Sequence, residues 1–224
     1  EFRRVLFRSE VMPLLPSNSG VVLYDNWLAD LTDGMLLKNV ITSVDKASCA
    51  GDILVTNYGL EGKPIYAVNR ALRAMEKPTL TIDLKPQMTF EKIQQILKKA
   101  KNPTQGLKEL KLSEVSLVWL RKFVSKENYN SAEQLAKQIK AFKIGVQSFR
   151  PIDEVISSAG GVATTELTPS GQLVKMDNIY CCGEMVDWDA PTGGYLIQAC
   201  VSSGYVAGQA IRSLLIDEIG RAHV

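Results

Sequence analysis

The segment that most restricts the fold of this chain lies near its end. It runs Asn178-Ile179-Tyr180-Cys181-Cys182-Gly183-Glu184, then Pro191-Thr192-Gly193-Gly194-Tyr195 and an apolar stretch. Ile179 to Cys182 is a short apolar run of the kind a buried parallel strand uses. Gly183 lets a ligand approach the backbone, and Glu184 offers a carboxylate at the strand's carboxyl end, where open α/β sheets bind their ligands. Gly193 and Gly194 clear side chains from the first turn of the helix that follows. Free N–H groups and the positive end of the helix dipole can then face an electron-rich ligand such as a flavin or a nucleotide. An ordinary strand-loop-helix with tight turns accounts for the same glycines, and the residues alone leave both readings open.

The two ends of the chain read as foreign. Glu1 to Ser9 and Glu218 to Val224 back-translate to DNA strings of which the second, apart from its first base, is the reverse complement of part of the first: AGATCGGAAGAGCACACGTC in the tail. Unrelated protein termini have no reason to encode complementary DNA, and the string is similar to a sequencing-library adapter. Residues 1–9 and 218–224 are therefore expected to be scars outside the fold, and Glu10 to Asp217 a piece of a longer protein. The scars carry Arg3, Arg4, Arg8 and Arg221 against Glu1 and Glu218, which equals the whole formal charge of +2. What remains is neutral, with no basic surplus to draw in nucleic acid or an acidic membrane. The one histidine, His223, lies in the tail, so histidine catalysis and histidine metal sites are excluded for this piece, and no metal is expected.

Hydrophobic residues make up 46% of the chain, normal for a globular core. No apolar run approaches the roughly 20 residues a membrane helix needs. Cys49, Cys181, Cys182 and Cys200 show neither CxxC spacing nor disulfide-scaffold density. Cys181 and Cys182 read as small buried hydrophobes, and the cysteines fit a reduced, cytoplasmic setting.

Along the chain, residues 20 to 84 read as strands and turns: Val21 to Tyr24, Leu36 to Ile41, Asp52 to Thr56 and Thr79 to Leu84. A helix is expected between them, around Ile65 to Glu76. Residues 89 to 142 read as Lys-rich helices. Phe90, Ile93, Ile96, Leu97 and Ala100 recur at helical spacing behind the N-cap candidate Thr89. Ser131 with Gln134 forms a candidate capping box before Leu135, Ala136, Ile139 and Phe142. The lysines read as a solvated face. From Gly145 the chain turns strand-rich again and closes with a helix from about Gly193 to Ile216. Inside it, Gly204 and Gly208 share one face, which predicts close packing on a sheet.

Three runs in order carry a resemblance: Ser158-Ala159-Gly160-Gly161-Val162-Ala163, Gly183-Glu184-Met185-Val186-Asp187-Trp188, and Ala190-Pro191-Thr192-Gly193-Gly194-Tyr195. Together they resemble the C-terminal signature of the aminoacetone oxidase family and its relatives, bacterial NAD(P)/FAD-dependent oxidoreductases. Thr56-Asn57-Tyr58-Gly59-Leu60-Glu61-Gly62 resembles the inserted domain of the same family. The resemblance implies an α/β fold: residues 10–147 as an inserted domain, β-barrel-like over 20–84 and helical over 89–142. Residues 148–217 would be the C-terminal part of an FAD-binding Rossmann-like domain. The family's opening G-x-G-x-x-G unit has no counterpart here, which implies a sheet short of central strands with an exposed apolar edge.

By the same resemblance FAD is the cofactor. Glu184 would hydrogen-bond its ribityl chain, and Thr192, Gly193, Gly194, Tyr195, Leu196 and Ile197 would approach the isoalloxazine. Gly160 and Gly161 would form a turn near the ring, beside Gly183. Tyr195, Asp187 and Asp189 are candidates for a catalytic part, with loop and capping duty the alternative for the aspartates. Thr56, Gly59, Gly62 and Tyr66 would line the substrate side or serve as turn residues. The expected activity is oxidation of a small amine or related substrate with oxygen as acceptor. An NAD(P)H-dependent reductase of an unsaturated or ketone substrate is the alternative. A non-catalytic flavin- or RNA-binding protein is a third reading. The expected partners are a small-molecule substrate and, in the second reading, NAD(P)H, with no nucleic acid and no membrane.

Overall fold

The computed structural model describes residues 9–24 and 31–222. Strand β1 (Val11–Asn18) groups with the chain from Ile152 onward, while Ser19–Pro151 forms a compact unit of its own. Of the expected foreign ends, residues 1–8 and 223–224 lie outside the described residues, and residues 218–222 continue the last helix.

In the Ser19–Pro151 unit a barrel is closed by β2 (Val21–Leu23), β3 (Leu36–Val44), β4 (Ala47–Thr56), β5 (Gly59–Glu61), β6 (Thr79–Asp83) and β7 (Phe142–Phe149). The ring order is β2-β5-β4-β3-β6-β7, with every pair antiparallel. Alternation explains what fills it. Leu37 faces Ile53 across β3 and β4, Leu80 faces Ile144 and Ile82 faces Phe142 across β6 and β7, and all six are buried. Leu80, Ile82 and Leu84 share the buried face, as their spacing predicts. In β3 the alternation slips once. Leu37 and Val40 both point inward, the pairing shifts between them, and Asn39 takes a left-handed φ of 54°. This is a β-bulge, and it sends Lys38 and Asn39 outward together.

The helix expected around Ile65 to Glu76 is two short ones, α1 (Lys63–Tyr66) and α2 (Asn69–Arg73). Val68, at φ −104° and ψ 0°, breaks them, and its N–H bonds three residues back to the Ile65 carbonyl. A β-branched side chain loses rotamer freedom in a helix, and with no cap between the pieces the run does not continue.

The Lys-rich stretch folds into α3 (Phe90–Lys99), α4 (Pro103–Glu109), α5 (Glu114–Phe123), α6 (Lys126–Asn130) and α7 (Ala132–Lys140). Each starts behind a side chain that accepts from a backbone N–H three residues on: Thr89, Asn102, Ser113, Ser125 and Ser131. Thr89 and Ser131 are the expected caps. The apolar stripes of α3, α5 and α7 bury Ile93, Trp119, Leu120, Leu135 and Ile139. The Trp119 ring stacks on Phe142 of β7 at 5.8 Å, and Phe123 meets the same ring edge-on at 5.6 Å. One hydrophobic cluster therefore runs from the barrel into the helices.

The other unit is built differently. β1 pairs antiparallel with β8 (Ser157–Val162) in a two-stranded sheet, and Met12, Leu14 and Leu15 stay exposed. Gly160 and Gly161 lie within β8 and not in a turn. A Cβ on Gly160 would sit 2.1 Å from the Pro13 carbonyl oxygen, and one on Gly161 would sit 2.4 Å from that of Met185. Close backbone approach requires both glycines.

Ile179 to Cys182 is not a strand. Tyr180 makes a single bridge to Gln172, Leu173 N–H donates to the Ile179 carbonyl, and Cys181 N–H donates to that of Gly171. These bonds fold residues 168–181 back on themselves, so the run has no ladder to join. The four cysteines are half-buried and unpaired, not fully buried. The last helix, α8 (Tyr195–Ala222), starts two residues later than expected and runs further. Its Gly204 and Gly208 have no atom within 4 Å of a would-be Cβ, so close packing on a sheet is not their role among the described residues.

Candidate functional site

Within the second unit, the residues after Gly183 converge beside the start and end of β8. A 3-10 turn over Gly183–Met185 follows Cys182. Gly183 holds φ 71°, and its N–H donates to Ser203 Oγ of α8 at 2.9 Å. Ser203 in turn donates to the Ala199 carbonyl at 2.7 Å. Beyond the turn, Val186 bridges Val162 in parallel and Asp187 N–H donates to the Val162 carbonyl at 2.8 Å. The turn is thereby fixed to the helix on one side and to β8 on the other.

This framework aims Glu184 at the first residues of β8. Its Oε1 accepts from Ser158 N–H at 2.7 Å and from Ser158 Oγ at 3.1 Å. Two donors on one oxygen hold the carboxylate in a single orientation, and charge-assisted bonds of this kind are stronger than neutral ones. The second oxygen has no protein partner among the described residues, so Glu184 keeps accepting capacity for a hydroxyl. Nothing in the spacing of Ser158 and Glu184 announces this contact, because it forms only when β8 and the turn are side by side.

Ahead of α8, Gly193 and Gly194 hold φ of 113° and 90°, and no atom lies within 4 Å of a would-be Cβ on Gly194. The first helical bond runs from Gln198 N–H to the Gly194 carbonyl at 3.1 Å. The amides of Tyr195, Leu196 and Ile197 precede it and have no partner inside the helix. Tyr195 is 60% exposed and Ile197 71%, so this end of the helix is open. Thr192 is half-buried just before it.

The candidate aspartates separate. Asp189 accepts from Ser17 Oγ of β1 at 2.5 Å, which ties the loop to the two-stranded sheet, whereas Asp187 is half-buried and engages only its backbone N–H among the described residues. Ser17, Ser158 and Ser203 are the residues that sequence reasoning missed, and each acts through a contact across at least 20 positions. The Cys181 thiol is pushed up by burial and then by the neighbouring Cys182, the opposite of what a reactive thiolate needs.

The barrel unit carries a cluster of its own around Thr56 to Tyr66. The Tyr58 hydroxyl donates to Glu61 Oε1, and the Tyr66 hydroxyl donates to Glu61 Oε2 at 3.3 Å. The Arg150 guanidinium lies 4.0 Å over the Tyr58 ring, a cation–π contact. Burial first, then the bond to Glu61 and its charge, push the Tyr58 phenol up to about 12. Tyr66 is raised too, mainly by burial. Of the expected substrate-side residues, Thr56 accepts from Gly59 N–H at 3.1 Å. Cβ atoms on Gly59 and Gly62 would come within 2.0 Å of the Val21 carbonyl oxygen and 2.8 Å of that of Asp52. Those glycines serve strand packing.

The model of the HI0933-like protein Rossmann domain family matches this chain over residues 36–210. That span takes in β3 to β7 of the barrel, α1 to α7 and the glycine-rich start of α8. The chain is also 24% identical over 182 residues to a 3-dehydro-bile acid delta(4,6)-reductase of Clostridium scindens. The alignment covers 73% of this chain and 44% of that protein, so the chain spans less than half the length of this relative. Among the described residues, no helix is long and apolar enough to cross a membrane.

Proposed function

From the premise that this chain belongs to the HI0933-like Rossmann-domain family of FAD-dependent oxidoreductases, we propose that it is part of a flavoenzyme that reduces a carbon–carbon double bond conjugated to a carbonyl. The reducing equivalents would come from NAD(P)H. The observation that carries the cofactor reading is the pairing of Glu184, held through one oxygen by Ser158 with the other uncommitted, with the open, glycine-led start of α8. The family typically binds FAD, and these residues fit it. A ribityl hydroxyl needs a fixed acceptor, and an electron-rich ring edge needs amides that no side chain covers.

In this reading Glu184 holds the ribityl chain. The amides of Tyr195, Leu196 and Ile197 would hold the ring's carbonyl edge, with Gly193 and Gly194 keeping the approach clear. Gly183 sets the turn that aims Glu184, Gly161 keeps β8 tight against that turn, and Gly160 keeps β8 tight against β1. Bound FAD supplies hydride transfer, while the protein supplies orientation and electrostatics. Preorganised amides at the start of α8 favour negative charge developing at the ring edge, and they do so without rearranging during the reaction. Asp189, engaged by Ser17, orders the loop. Tyr195, exposed beside the open helix start, is the side chain nearest in sequence to those amides and the first candidate to meet substrate. Residues 10–147 would then form a domain inserted into the FAD-binding fold.

The direction of the chemistry is drawn from the reductase relative. The likeness of Gly183–Tyr195 to the aminoacetone oxidase signature favours a second reading, oxidation of a small amine with oxygen as acceptor. Visible absorption of the purified full-length protein separates them. Flavin bleaching by NADPH without oxygen, reversed by an enone, supports the first. Peroxide release from an amine without nicotinamide supports the second. A colourless, folded protein that takes up no added FAD sinks both.

A further inference from the structure

The barrel unit bears a groove of about 540 Å³ that is lined by Lys38, Lys85 and Lys111, with Leu84 and Leu112 as its apolar part. Three separate elements deliver the lysines. Lys38 is turned outward by the β3 bulge. Lys85 follows β6, and its N–H donates to Asp83 Oδ1 at 2.9 Å. Lys111 sits between α4 and α5 with a left-handed φ of 51°. Gln87 Nε2 reaches the Asn39 carbonyl at 3.4 Å, joining the loop after β6 to the bulge.

The charges here are not balanced from within. None of the three lysines has an ion-pair partner among the described residues. Asp83, the carboxylate beside Lys85, is already taken by Lys140 Nζ at 2.5 Å. Lys140 also donates to the Lys85 and Met88 carbonyls at 3.3 and 2.9 Å. Asp52, near the bulge, accepts from Asn39 N–H at 2.7 Å, and Glu114 follows Ser113 in the first turn of α5. Three ammonium groups against these two carboxylates leave a local positive surplus, although the chain between its two tails is neutral. Ser113, the N-cap of α5, also lines the groove, and the positive end of that helix dipole adds to the surplus.

We propose that this groove binds a nucleoside di- or triphosphate. Lysines act as point-charge partners for phosphate oxygens, and Leu84 and Leu112 offer a wall for the less polar nucleoside. The volume falls in the usual range of small-molecule pockets, about 300–1,000 Å³. A nucleic-acid strand is disfavoured because no aromatic side chain lines the groove for bases to stack on.

The test is calorimetric titration of the full chain at low ionic strength with two probes, inorganic pyrophosphate and ADP. Saturable one-to-one binding of both is expected, with ADP the tighter. The double variant Lys38→Gln/Lys111→Gln should weaken it roughly tenfold or more. The control Lys99→Gln/Lys143→Gln, equal in charge and outside the groove, should not. Lys38→Gln alone, on the exposed bulge, gives a smaller loss and serves if the double variant melts early. The proposal is overturned if neither probe binds below about millimolar concentration, if both pairs weaken binding equally, or if an RNA oligomer binds through the groove lysines while ADP does not.

Discussion

Between Val21 and Val146 the chain buries Trp119, Phe142, Leu37, Ile53 and Leu72 completely or nearly so. From Ile152 on, the longest helix leaves Tyr195, Ile197, Val201, Tyr205, Leu215 and Ile216 more than half exposed. Both regions are rich in apolar residues, so composition does not separate them. Closure does. The barrel joins its edge strands to each other and leaves no open ladder, and α3, α5 and α7 add their stripes to the same core. β1 and β8 form a sheet of two strands, extended only by the parallel bridge from Val162 to Val186 among the described residues, and a two-stranded sheet is marginal by itself. The barrel unit is thus complete in its own packing, while the other unit holds its site in shape with a few hydrogen bonds through Ser17, Ser158 and Ser203.

The sharpest way to break this contrast is Trp119→Ala. The ring is fully buried against Phe142, so its loss should cost about 3–5 kcal/mol, read as a lower urea midpoint of the barrel unit. Next is Gly160→Ala, which places a Cβ against the Pro13 carbonyl at a positive φ. A cost of roughly 2 kcal/mol or more should appear as faster amide exchange over residues 11–18 and 157–162. Trp119 fluorescence should stay unchanged, and a loss of both signals together would show that the two regions unfold as one.

Glu184→Ala in the full-length protein removes the acceptor anchored by Ser158. It should weaken FAD by roughly tenfold or more, about 1.5–3 kcal/mol for a bond to a charged group, in a flavin-release titration. Unchanged affinity would remove Glu184 from the site. In the barrel, Tyr58 has a folded pKa raised above its ordinary value of 10 to about 12. Its contribution is fully present below pH 10 and is lost as pH climbs toward 12, because the unfolded phenol ionises first. The melting temperature should fall across that window, less steeply in Tyr58→Phe. The smallest effect is Ser131→Ala, which removes the cap on Gln134 N–H and should cost about 1 kcal/mol by urea titration.

Much of the barrel was legible beforehand because alternation is a local property. Thr79 to Leu84 announces its buried face in six residues, and Thr89 and Ser131 announce the helices they cap. The helix around Ile65 failed at Val68, where a three-residue hydrogen bond interrupts an otherwise suitable pattern. Ile179 to Cys182 failed for another reason. An apolar run becomes a strand only when a neighbour offers a ladder, and here its bonds turn back to Gly171 and Leu173. The resemblance places Gly160 and Gly161 in a turn, and a glycine pair looks the same in a turn and in a strand pressed against another backbone.

The sequence by itself determined the alternating strands, the capped helices and the glycine-led start of α8, since each depends on residues a few positions apart. Tertiary structure alone decided that Ser158 orients Glu184, that Ser17 restrains Asp189, and that three distant lysines face one groove. Those contacts join residues 26, 172 and dozens of positions apart, and a separation of that kind becomes a distance only when the chain has folded.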